Sequence, residues 1–142
     1  MRRLVTLDAE GRLDCLGNWT AGQIFSHLAA WIEYGYDGYP INKPPLPIRW
    51  ILRMMLPGML RRGMKPGVRI PGVKDGTVGQ EMMEAGKAAE RLERAWSRLA
   101  SGEPSRHDSP AFGAMSHERR IQLNLRHAEL HLSNLKESPK RA

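Results

Sequence analysis

The stretch Ser116–Leu135, SHERRIQLNLRHAELHLSNL, decides how the chain is read. His127 and His131 are four residues apart, and on an α-helix such residues stand one above the other, about 6 Å apart. Both rings therefore reach a common point beside the helix, where one metal ion can be shared. Leu123, Asn124, Leu130 and Asn134 fall on the same side, which turns the pair inward rather than to water. Ser116 is a natural N-cap with Glu118 in the favourable first turn. His117, in that same turn, reads as surface.

A third imidazole lies near the other end of the chain. Thr20-Ala21-Gly22-Gln23 has the capping-box pattern, in which the Thr hydroxyl takes the amide of the third helical residue and the Gln side chain reaches back to the cap amide. Ile24, Leu28 and Trp31 follow with helical period, and His27 stands among them. Gln23 and Trp31 lie one turn to either side of His27, so each can wall or orient its ring. Gly35, Gly38 and Pro40 end the helix. Whether His27 meets the other two separates a metal centre from an ordinary helical protein.

The totals set the frame for that question. A chain of 142 residues, 41% of them hydrophobic, is long enough for one core and short for two. We expect a single domain over 1–142, with a poorly defined segment at 1–16 and a frayed tail at 136–142. The net charge of +7 favours acidic partners. Its densest groups, Arg2-Arg3, Arg61-Arg62 and Arg119-Arg120, are pairs rather than a stripe with interleaved aromatics, which argues for a solvated basic surface and against nucleic acid. The single cysteine, Cys15, excludes an intrachain disulfide and a thiolate cluster within the chain. A reducing, cytoplasmic setting fits that cysteine use, and a soluble protein is expected, since Met1 to Leu16 lacks an apolar run of signal length and no segment reaches the ~18 apolar residues of a membrane span.

Between the two histidine-bearing helices the chain changes character twice. Residues 39–76 hold most of the ten prolines and several glycines, so a long crossover is expected, with one short helix near Ile48–Leu56 before Pro57-Gly58. That piece mixes arginines with Trp50, Ile51, Met54 and Met55; we read it as covering one end of the core rather than lying on a membrane surface. Thr77-Val78-Gly79-Gln80 repeats the capping-box pattern and is expected to open a helix whose seam is Val78, Met82, Ala85, Ala89, Leu92, Trp96 and Leu99. Ser101-Gly102 stops it. His107 and Asp108 follow in a polar loop, where neighbours in sequence seldom face each other, so they read as solvated. No segment reads as a strand. The fold class is all-α, an antiparallel bundle with a long crossover between its second and third helices.

Imidazole is the commonest side-chain ligand for late first-row divalent ions. Three neutral histidines leave the ion's charge unneutralised and positions open, which suits hydrolysis, isomerisation or thiol transfer and attracts anions. The pair is not the zincin motif. In His127-Ala128-Glu129-Leu130-His131 the Glu is two residues past the first His, about 200° around the helix, and is a poor general base.

The ordered set Asn18-Trp19-Thr20-Ala21-Gly22-Gln23, His27-Leu28-Ala29, Phe112-Gly113 and His127-x-x-x-His131-Leu132 resembles the DinB-like superfamily, in a branch of unknown function, over about residues 17 to 135. The resemblance implies a four-helix bundle holding a divalent metal, zinc or nickel, on His27, His127 and His131. It also implies kinship with metal-dependent transferases and isomerases that use small thiols. Here the chain departs from the pattern, because only about 16 residues precede the Trp-x-x-Gly-Gln segment, enough for about 24 Å of helix at most. Either the first helix is a stub or the start is internal to the natural one. A missing helix would leave an apolar groove, and a homodimer would cover it.

The expected function is metal-dependent chemistry on a small thiol or anionic substrate, with Trp31, Asn124 and Gln23 as pocket residues. Two other readings stay open: a metal-free helical interaction module, and a basic adaptor working through Arg49–Arg62 at a membrane or nucleic acid.

Overall fold

In a computed structural model of the chain, which describes residues 1–139, the Thr20 cap forms as its pattern predicts. Its hydroxyl accepts from the Gln23 amide, and the Gln23 side chain accepts from the Thr20 amide in return. From that cap runs α2, Ala21–Asp37, closed by Gly38 in a left-handed conformation. α4, Ala85–Ala100, lies along it in the same direction: Gly22 meets Met83 and Ala85, and Arg91 and Arg98 pair with Glu33 and Asp37 further on. Small residues set the approach. Ala85, Ala88, Ala89 and Ala95 are buried against Ile24, Phe25, Leu28 and Ile32, with Leu92 and Leu99 filling between them.

α5, His117–Leu132, starts at Ser116, whose hydroxyl accepts from the Arg119 amide. It runs opposite to α2, since His27 meets His127 while Gly35, two turns on, meets the Arg120 guanidinium. The parallel pair and its antiparallel neighbour follow from the crossover, which carries the chain back along the bundle before α4 begins.

The first helix, α1, is short and spans Arg2–Ala9. Leu7 is buried, and Leu4 and Val5 pack on the core beside it, so α1 fills part of the groove that a short first helix would leave. After Gly11 the chain turns into β1, Leu13–Cys15, which pairs antiparallel with β2, Leu135–Glu137. This corrects the expectations of no strand and of a tail frayed from 136. Glu137 binds Arg3 and Arg12, and Leu13, Cys15 and Leu135 pack on the core. Residues 140–142 of the expected tail lie outside the described residues.

Two further expectations are corrected. The crossover helix α3, Leu46–Arg62, is longer than the short piece the prolines suggested and passes through Pro57. Leu56 anchors it in the core, and Arg126 of α5 donates to the carbonyls of Leu60 and Arg61 at its open end. Tertiary contacts thus supply what the local sequence lacks. The second capping box does not form. Gly79 has φ +85°, which a helix excludes, and Gln80 turns back to the Thr77 carbonyl. α4 is instead capped seven residues later by Glu84, whose carboxylate accepts from the Gly86 and Lys87 amides and is held below its ordinary pKa by them. Val78 and Met82 therefore leave the seam, and Met82 is exposed.

Candidate metal centre

His27 sits two turns into α2, where the capping box fixes the helix's phase, and it is buried. α5 brings His127 and His131 to meet it. One nitrogen from each ring lies within 4.8 Å of the others, and the ring centroids are 4.6–4.9 Å apart. His27 Nε2 is 3.1 Å from His127 Nε2. Two nitrogens bound to one zinc-like ion at about 2.0–2.1 Å would stand about 2.8–3.4 Å apart at octahedral or tetrahedral angles.

The other nitrogen of His27 settles the tautomer. Nδ1 is 2.8 Å from the Val78 carbonyl oxygen, which can only accept, so Nδ1 carries the proton and Nε2 presents its lone pair to His127 and His131. A carbonyl behind a ligating imidazole is the usual orienting partner of a metal-bound histidine. The Thr77–Glu84 segment, which is not helical, supplies this carbonyl. Gly79 crosses α2 with no room for a side chain, since a Cβ there would stand 2.7 Å from Ala30 Cβ, and this passage holds the Val78 carbonyl over His27.

Aromatic rings close the site. Trp19 stacks on His131 at 5.5 Å with planes 10° apart and meets His27 edge-on at 4.9 Å. Trp31 stands edge-on to His27 and His127 at 6.1 and 5.8 Å, with Tyr34 and Tyr39 behind it. In these surroundings all three imidazoles are held neutral. Burial, then the charge His131 would carry, push His27 down to about 3, against a smaller opposing effect of the Val78 bond. Burial and the two neighbouring imidazoles push His127 well below its ordinary value, and burial lowers His131. Three neutral imidazoles converging on one point, one with its tautomer fixed by a carbonyl, match what a divalent ion requires of its donors.

The three histidines expected to meet do meet. Of the expected pocket residues, Trp31 stands beside His27 and His127, and its indole N–H is buried without an acceptor. Gln23 is engaged in the cap and reaches the Gln80 carbonyl at 3.5 Å. Asn124 turns its amide back to the Arg120 carbonyl. Glu129 faces away as expected and pairs with Arg126, and His107 and Asp108 are exposed. Two contributors escaped the sequence reading. Trp19 immediately precedes the cap, a position where an apolar residue folds back on its helix, and that rule could have found it. The Val78 carbonyl is backbone and carries no sequence signal.

A family profile described as "Protein of unknown function (DUF1569)" matches residues 1–138. No curated protein and no solved structure matches the chain.

Proposed function

The chain belongs to the DUF1569 family, and within it we propose that this protein binds one divalent ion, zinc or nickel, through His27, His127 and His131, and acts on a small thiol or anionic substrate as a DinB-like metal-dependent transferase, isomerase or hydrolase. The observation that carries this reading is the 3.1 Å separation of His27 Nε2 and His127 Nε2, with the His27 proton drawn off to Val78.

When bound, such an ion acts as a Lewis acid that acidifies a bound water or thiol. The chain's own residues do the rest. Val78 and Trp19 fix the rings of His27 and His131. Trp31 stands edge-on to His127 and walls the site, and its buried indole N–H has no acceptor among the described residues. Burial among Trp19, Trp31 and Tyr39 keeps water sparse and electrostatic attraction strong. Among the described residues no carboxylate joins the three histidines, so the charge of an ion held there would stay unneutralised and draw anions.

Cobalt(II) tests the substrate class, because its visible spectrum reports ligand exchange. We expect a low-symmetry cobalt spectrum that gains a sulfur-to-metal charge-transfer band when a small thiol is added. A spectrum indifferent to thiols and to small anions alike would contradict the proposed chemistry while leaving metal binding intact.

A further inference from the structure

α3 is held to the bundle on one side only. Leu56 is buried and Arg126 grips the helix's C-terminal carbonyls, while the opposite side presents Leu46, Trp50, Ile51, Met54 and Met55 to solvent. Leu46, Trp50 and Met54 follow one another at i+4, and Ile51 and Met55 lie beside them, so the five make one continuous patch. Trp50 and Met54 are 65% and 62% exposed. Isolated exposed apolar residues are ordinary, but five large ones on one helix mark a surface that meets something.

The charge along the crossover itself has a single sign. Between Ile41 and Lys74 the chain carries eight Lys or Arg and no Asp or Glu. Arg61 and Arg62, at the end of α3, make no ion pair among the described residues. Beside them, α3 and α5 enclose an open groove of about 680 Å³ with Leu60 and Leu125 among its apolar walls and Arg61 and Arg119 on its sides; its one carboxylate, Glu129, is paired with Arg126.

We infer that α3 and this groove form a docking face for a bilayer surface rich in anionic phospholipid. A second copy of the chain fits poorly, because a twofold contact through α3 would set unpaired arginines against arginines with no acid on the helix to answer them. Nucleic acid would answer the arginines and leave the apolar patch uncovered. An anionic lipid interface answers both: Trp50, Ile51, Met54 and Met55 enter the boundary between headgroups and acyl chains, and the arginines reach the phosphates. Among the described residues no helix is long and apolar enough to cross a membrane, so α3 lies on the surface.

Co-sedimentation of the full chain with vesicles tests this. The protein should pellet with phosphatidylcholine vesicles that contain phosphatidylglycerol and stay in solution with phosphatidylcholine alone. Apparent affinity should fall about fivefold for each of Arg61→Gln and Arg62→Gln. It should also be lost in the Trp50→Ser/Met54→Ser variant, whose changes are at exposed positions and whose circular dichroism should match the parent. Absence of pelleting with anionic vesicles would overturn the proposal, as would equal pelleting with neutral ones. A solution dimer that dissociates on Trp50→Ser would assign the face to a second copy, and DNA binding that ignores Trp50→Ser would assign it to nucleic acid; either overturns it.

Discussion

His27 holds the account together at the scale of single residues, because its two nitrogens have different jobs. Its pKa in the folded chain is about 3 against an ordinary 6.5. Between those values the unfolded chain binds a proton that the folded chain does not, so stability rises with pH across this window and is lost as pH falls from 6.5 toward 3. His127 and His131 are lowered too and act in the same direction. Urea unfolding of the metal-free protein should therefore show a midpoint that drops as pH falls through this window, and the His27→Gln protein should show a shallower drop. An equal slope in both would mean that His27 is not held neutral by the fold. Trp19 makes a second prediction. Its ring lies flat on His131, so Trp19→Ala should weaken metal binding by about 10- to 100-fold, the range seen when an outer partner of a ligand is removed. Competition with a chelator of known affinity would measure it.

Among the elements, the segment between the crossover and α4 was the hardest to read and matters most. Thr77-Val78-Gly79-Gln80 has every feature of a helix start, and a local rule could not see that Val78's carbonyl is wanted by a histidine on another helix. Gly79→Ala tests the arrangement. The substitution forces a Cβ onto a left-handed backbone and into Ala30, so it should destabilise the fold by about 2 kcal/mol or more. Gly102→Ala is the matched control: its φ of +82° is similar but nothing lies within 4 Å, so only the backbone cost of about 1 kcal/mol should remain. Denaturant unfolding of both proteins measures the difference, and equal losses would show that the close passage over α2 is not a constraint. The Thr20 box, by contrast, was legible because all its partners are local. β1 and β2 were not, since three-residue strands are too short for any period to show, and their pairing joins opposite ends of the chain.

The core of the molecule is two helices running together, α2 and α4, a third, α5, returning against them, and a crossover long enough to allow it. The sequence carried the all-α class through hydrophobic period and the three histidines through their place on apolar faces. It did not carry the length of α3, because a helix that passes through Pro57 depends on Leu56 and Arg126 for its hold. Since the proposed ligands come from α2 and α5, a bound ion would tie the two ends of the fold together and stabilise it globally. At a free zinc concentration about a thousand times the dissociation constant, the gain should be about 4 kcal/mol, visible as a raised melting temperature that a chelator reverses. The most direct measurement is the ion content of protein purified without a histidine tag, equilibrated with zinc and freed of unbound metal. One ion per chain, lost in each of His27→Ala, His127→Ala and His131→Ala while helix content is kept, is the predicted result; no retained ion, or an undiminished one in His27→Ala, would contradict a centre built from both ends of the chain.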